Sequence, residues 1–164
     1  MANKLFWELR FHIEPWVAKF ARDYYTNNLK LSYKNEIGLL ALGVIKLNRY
    51  YTQEQMAGFV KKKTERFGIQ VRDSYHRRIK IKRYDQCPSY SMSFNNALKQ
   101  IFQREYIKYM EISEEQLRDV NADVNYTELT RRFLIKYEVA ESDVNMRSLR
   151  QVFDRKKQAK KIHC

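Results

Sequence analysis

Only four glycines and two prolines interrupt 164 residues, and this scarcity of chain breakers constrains the fold more than any other feature. Gly and Pro turn, kink or end regular structure, so a chain nearly without them lacks the composition for long linkers or low-complexity segments. Helix is the economical expectation over most of its length. Hydrophobic side chains make up 44% of the sequence and aromatic ones 14%, enough to bury the core of one compact domain or of two small lobes. The expected class is mainly α: a helical bundle with two helix-turn-helix-like units, leaving room for a minor β element near the N-terminus. The lobes are expected over residues 1–90 and 91–164.

Apolar periodicity places the elements. Leu5, Leu9, Ile13, Trp16, Phe20 and Tyr24 recur at helical intervals, but Pro15 lies inside that run and would break or kink it. The same residues also fit a strand with Trp7, Leu9, Phe11 and Ile13 on one face and Glu8, Arg10 and His12 on the other. A helix with Pro15 at its first position would then follow, and both readings stand at this level. Glu36–Tyr50 is apolar around much of its circumference, as expected for a central helix packed on several sides. Ser91–Tyr109 repeats the pattern with Phe94, Leu98, Ile101, Phe102 and Tyr106, and Ser93 is a plausible cap.

Charge is placed as unevenly as the breakers are rare. The formal net charge is +13, and the excess sits in two stretches, 52–84 and 145–164. The first carries ten Lys/Arg against Glu54, Glu65 and Asp73; the second carries seven against Asp154, while the rest of the chain balances. Both stretches follow one plan. Thr52-Gln-Glu-Gln55 reads as a capping box opening a helix through Met56, Phe59 and Val60, which Phe67-Gly68-Ile69 would stop. Asp73 would then cap a basic helix over Ser74–Tyr84. In the second half, Asn125-Tyr-Thr-Glu128 opens a helix ending near Tyr137-Glu-Val139, and Ser142 or Asp143 would cap a helix with Met146, Leu149, Val152 and Phe153 inward. Arg147, Arg150, Arg155, Lys156 and Lys157 would face outward. Phe67 aligns with Tyr137 and Asp73 with Asp143, each at an offset of 70 residues, as in an internal duplication.

Matched basic helices presented by a partner helix and a turn suit double-stranded DNA. Lys and Arg would neutralise phosphates, Arg would bond guanine edges, and Asn or Gln would bond adenine edges. The candidate contacts are Lys61, Lys62, Arg77, Arg78, Lys80, Arg83, Asn145, Arg147, Arg150, Gln151, Arg155, Lys156 and Lys157. Asn145 and Gln151 are the candidate base readers. The blander alternative is that such charge runs are solvated helix faces.

Leu129-Thr-Arg-Arg-Phe133, Tyr137-Glu-Val139, Asp143 and Arg147-Ser-Leu149 with Val152 and Arg155-Lys156 resemble the C-terminal region of RteC-type proteins, regulators encoded on conjugative transposons of Bacteroides-like bacteria. The likeness covers only part of the C-terminal half. Where that family's last helix begins with an aromatic residue, this chain has Asn145-Met146. The resemblance implies a DNA-binding regulator of mobile-element excision or transfer.

Other classes are weaker on the residues. The many tyrosines could stack exposed bases of RNA or single-stranded DNA, yet most aromatics fall at core-facing helical spacing. A virion component touching packaged genome, or an inhibitor binding a host nucleoprotein complex, also fits a small basic phage or mobile-element protein. His12, His76 and His163 are scattered, without catalytic or metal spacing. Glu111, Glu114, Glu115, Asp119 and Asp123 read as helix-start charge beside a Ser113-Glu-Glu-Gln116 capping box rather than as a metal site. No glycine loop of nucleotide-binding type occurs, so no enzyme activity, metal or cofactor is expected. Cys87 and Cys164 form no disulfide framework, and the longest apolar run, Ile37–Ile45, falls short of the roughly 18–20 residues of a membrane span. A cytoplasmic protein without membrane partners is the expectation.

Overall fold

The structure, a computed structural model, describes residues 6–26, 29–32, 34–47, 51–61, 64–72 and 88–162. In chain order the described elements are β1 (Phe6–Ile13), α1 (Pro15–Tyr25), α2 (Glu36–Leu47), α3 (Gln53–Lys61), β2 (Glu65–Arg72), α4 (Pro88–Asp119), α5 (Tyr126–Lys136) and α6 (Met146–Ile162). The protein is mainly α with a minor β element, a two-stranded sheet among the described residues. It divides into two compact units, Met1–Leu98 and Lys99–Cys164, a division that falls inside α4. Among the described residues, no helix is long and apolar enough to cross a membrane.

In the N-terminal unit, the strand reading of the first apolar run prevails. β1 pairs antiparallel with β2, setting Leu9 opposite Ile69 and Phe11 opposite Phe67. Leu9, Phe11, Ile13, Phe67, Ile69 and Val71 are buried, while Glu8, Arg10, His12, Arg66 and Gln70 are exposed, the period-two pattern of a half-buried sheet. A single helix would have carried Pro15 in its interior. Instead Pro15 opens α1, where its missing N–H removes no helical bond. The far edge of β2 is joined by residues 29–31, between α1 and α2, with Gln70 N donating to Leu29 O at 2.9 Å and Leu31 N to Gln70 O at 2.8 Å. Beside β1, α4 offers Ser91 Oγ to His12 N at 2.9 Å and Asn95 Oδ1 to Glu14 N at 3.0 Å. Phe94 stacks on Phe11 with ring centroids 4.0 Å apart.

Thr52 and Gln55 do form the expected capping box: Gln55 N donates to Thr52 Oγ1 and Thr52 N to Gln55 Oε1. The helix they open ends at Lys61, however, and Phe67-Gly68-Ile69, read from sequence as its stop, lies in the middle of β2. The sequence reading failed here because alternation in a short aromatic and β-branched run acquires meaning only once a partner strand exists. Gly68 makes no left-handed turn; the flexible Glu8 side chain crosses it, with Oε1 2.0 Å from where a Cβ would lie. The expected basic helix Ser74–Tyr84 lies outside the described residues. In α2, Ile37, Ala41, Leu42, Val44 and Ile45 are buried but Leu39 is half exposed, so this helix is not enclosed on every side. Gly38 admits the Ser32 backbone, whose N and O would each lie 2.3 Å from a Cβ at this position.

Helix α4 begins at Pro88, so Ser93 is interior rather than a cap, and it runs uninterrupted through Ser113-Glu-Glu-Gln116. A capping box acts only where the chain enters a helix from another conformation. Here strong helix formers flank the motif, and extending an existing helix is far easier than nucleating a new one. In the C-terminal unit, Phe133 centres an aromatic cluster, with Phe102, Tyr106, Tyr109 and Tyr137 rings 5.1–5.5 Å from it. Tyr106 shares a buried 2.9 Å hydrogen bond with Thr130, and burial pushes its hydroxyl pKa above the usual tyrosine value despite that bond.

Candidate nucleic-acid interface

The second basic stretch, 145–164, holds helix α6, whose side chains are described as far as residue 159. α5 begins as anticipated, with Asn125 Oδ1 accepting from Glu128 N at 3.1 Å. It ends with Glu138 in the left-handed region at φ 49, Glu138 N bonded to Ile135 O and Val139 N to Leu134 O. That is a Schellman-type stop made without glycine. A turn follows, with Asp143 N bonded to Ala140 O. The cap of α6 is neither Ser142 nor Asp143 but Asn145, whose Oδ1 accepts from Ser148 N at 3.0 Å. The side-chain oxygen of this candidate base reader is therefore committed to the helix start.

On α6, Leu149 and Phe153 are buried and Met146 and Val152 half-buried, while Arg147, Arg150, Gln151, Asp154, Arg155 and Lys156 are exposed. The exposed cations fall into two groups. Arg147 and Arg155, with Gln151 between them, have no hydrogen-bond or ion-pair partner among the described residues. The others turn toward the unit itself. Arg150 Nη1 reaches Thr127 Oγ1 at 3.4 Å and its guanidinium lies 5.3 Å from the Tyr126 ring centre. Lys156 Nζ lies 3.5 Å from Glu111.

Lys157, expected outside, is half-buried. Its Nζ donates to Glu114 Oε1 at 2.6 Å and to Tyr126 Oη at 3.0 Å, over the faces of Tyr126 and Phe153. Glu114 also accepts from Arg118 Nη2, and only 8% of its side chain is exposed. Burial works against ionisation of Glu114. The Lys157 ammonium, hydrogen bonding from Tyr126 and the Arg118 charge outweigh it and hold the carboxyl below its ordinary range. Hydrogen bonding to Glu114 correspondingly raises the Lys157 pKa. This ion pair ties α6 to α4 and α5, a role the sequence reading missed. The spacing of Glu114 and Arg118 signals a helix pair, but nothing in the sequence announces a lysine 43 residues away.

On α5, Arg131 pairs with Glu141 and Arg132 with Glu128, and Lys136 lies over Tyr137. Within the first basic stretch, Lys61 is the last residue of α3, and Arg66 bonds Glu8 at 2.8 Å on the exposed sheet face. Lys62, Arg77, Arg78, Lys80 and Arg83 lie outside the described residues. Among the described residues, no group of three His, Cys, Asp or Glu side chains converges as metal ligands would.

Compared with family models, curated proteins and solved structures, the chain matches none.

Proposed function

We propose that this protein binds double-stranded DNA without catalysing a reaction, as a regulator of the kind carried by mobile elements or phages. One observation carries the reading. The outward face of α6 holds Arg147, Gln151 and Arg155 without partners in the described unit, while its inner face is anchored by Leu149, Phe153 and the Lys157–Glu114 pair. A rigidly seated helix with uncommitted donors outward has the shape and charge to enter a major groove. The aromatic side chains of this unit favour duplex over single strands: Tyr106 and Phe133 are buried, and Tyr126 is faced by Arg150 and Lys157. Base stacking needs open aromatic faces. The resemblance to RteC-type regulators points the same way. Arg77, Arg78, Lys80 and Arg83 are proposed as further phosphate contacts from the first basic stretch.

Fluorescence anisotropy of the full chain with random duplex DNA, single-stranded DNA and RNA, at low and physiological salt, tests the proposal. Tightest binding to duplex, weakening steeply as salt displaces the advantage of counterion release, is the expected result. Preference for single strands or RNA would replace duplex DNA as the partner. No binding to any nucleic acid at physiological salt would overturn the reading and leave the basic helices as a protein-contact surface.

A further inference from the structure

We propose that Arg147, Gln151 and Arg155 form the row that reads base edges, and that Lys157 holds the helix in place while Arg150 and Lys156 lie toward partners within the unit instead of reading bases. The inference rests on the duplex-binding reading above and divides its contact residues by their partners. A lysine or arginine already bonded within its own unit is held toward those partners and keeps fewer donors free to meet a base. Lys157 is engaged by Glu114 and Tyr126, Lys156 by Glu111, and Arg150 by Thr127 and Tyr126. Arg147, Gln151 and Arg155 have no such bonds among the described residues. They also fall at intervals of four, so at about 100° per residue they occupy roughly 80° of arc, opposite the buried Leu149 and Phe153.

The dimensions match a groove. Successive members lie about 6 Å apart along the axis, and the row spans about 12 Å. With base pairs rising about 3.4 Å, neighbouring members address positions about two base pairs apart. Arginine presents two donors to guanine O6 and N7; glutamine pairs a donor and an acceptor with adenine N6 and N7. The row therefore fits guanine, adenine and guanine in succession within about five base pairs, on either strand. Asn145, its side-chain oxygen engaged at the helix cap, is left out of this row.

Selection of the full-length protein against a pool of randomised duplex DNA, with Arg147→Ala, Gln151→Ala and Arg155→Ala in parallel, decides the matter. All three positions are exposed, so folding should be retained, and circular dichroism checks this. Wild type should enrich a short motif of this composition. Each variant should lose preference at one position and bind the selected duplex about tenfold or more weakly, with only a few-fold loss on random duplex. Variants that enrich the wild-type motif with unchanged affinity would overturn the assignment. Duplex binding by wild type without any enriched motif would overturn base reading while leaving the DNA-binding proposal standing. Absence of binding to every duplex in the pool would bring down both.

Discussion

The two units use the same charged residue types to different ends. In the N-terminal unit, Glu8 bonds Arg66 and Arg10 on the open sheet face, and Arg22 bonds Glu65, with every partner at least a third exposed. The C-terminal unit has exposed pairs of the same kind, Arg131–Glu141 and Arg132–Glu128, but there Glu114 is also nearly enclosed while bonding Arg118 and Lys157. Water and salt screen the first set, so such pairs typically contribute about 0–1 kcal/mol. The enclosed carboxylate leaves an uncompensated charge if its partner goes, and so ties the placement of α6 to α4. Basic residues thus cannot be valued by counting. Their worth depends on what the rest of the unit has done with them.

The largest expected effects concern the aromatic cores. Phe133→Ala should destabilise the C-terminal unit by about 3–5 kcal/mol, and Phe94→Ala the N-terminal unit by a similar amount. Hydrogen exchange should localise the losses to α5 and α6 in one case and to β1 and β2 in the other. A loss near zero at Phe133 would remove the aromatic cluster as the basis of that unit.

Next comes Glu114→Gln, expected to cost about 1–3 kcal/mol. Because its folded pKa lies below the ordinary value of 4.5, its ionic contribution is present above that value. It is lost as pH falls through the lower folded pKa. Urea titrations of wild type and variant should therefore converge under acid and differ at neutral pH. A constant difference at every pH would assign Glu114 a packing role alone. Asn145→Ala should cost about 1 kcal/mol through loss of the helix cap, read as faster exchange in the first turn of α6. The smallest effect sharpens the contrast: Glu8→Gln should cost at most about 1 kcal/mol and vanish in molar salt. A larger, salt-resistant loss at Glu8 than at Glu114 would reverse the comparison.

Several features were legible in the sequence for a common reason. The Thr52–Gln55 box, the Asn125 cap and the inward Leu149 and Phe153 of α6 are each encoded within a few neighbouring residues. Local hydrogen bonds and the 3.6-residue period need no distant partner. Scarce glycine also told truly of a mainly helical chain, although it did not reveal that Thr26, Asn121 and Glu138 would take the positive-φ positions.

The tertiary structure decided what local pattern left open. Residues 6–13 could have been helix or strand until β2 supplied a partner 52 to 66 residues away. Gly68 looked like a helix stop until Glu8 was seen crossing it, and the Ser113 box was overridden by a helix already formed on both sides. The division of α6 into cations with and without partners among the described residues likewise required Glu111, Glu114 and Tyr126 to arrive from elsewhere. Composition and short-range periodicity determined that this chain would be helical and where its charge would lie. Which charges remain available for a partner is a property of long-range packing, because a side chain's bonding capacity is spent on whichever groups folding brings within reach.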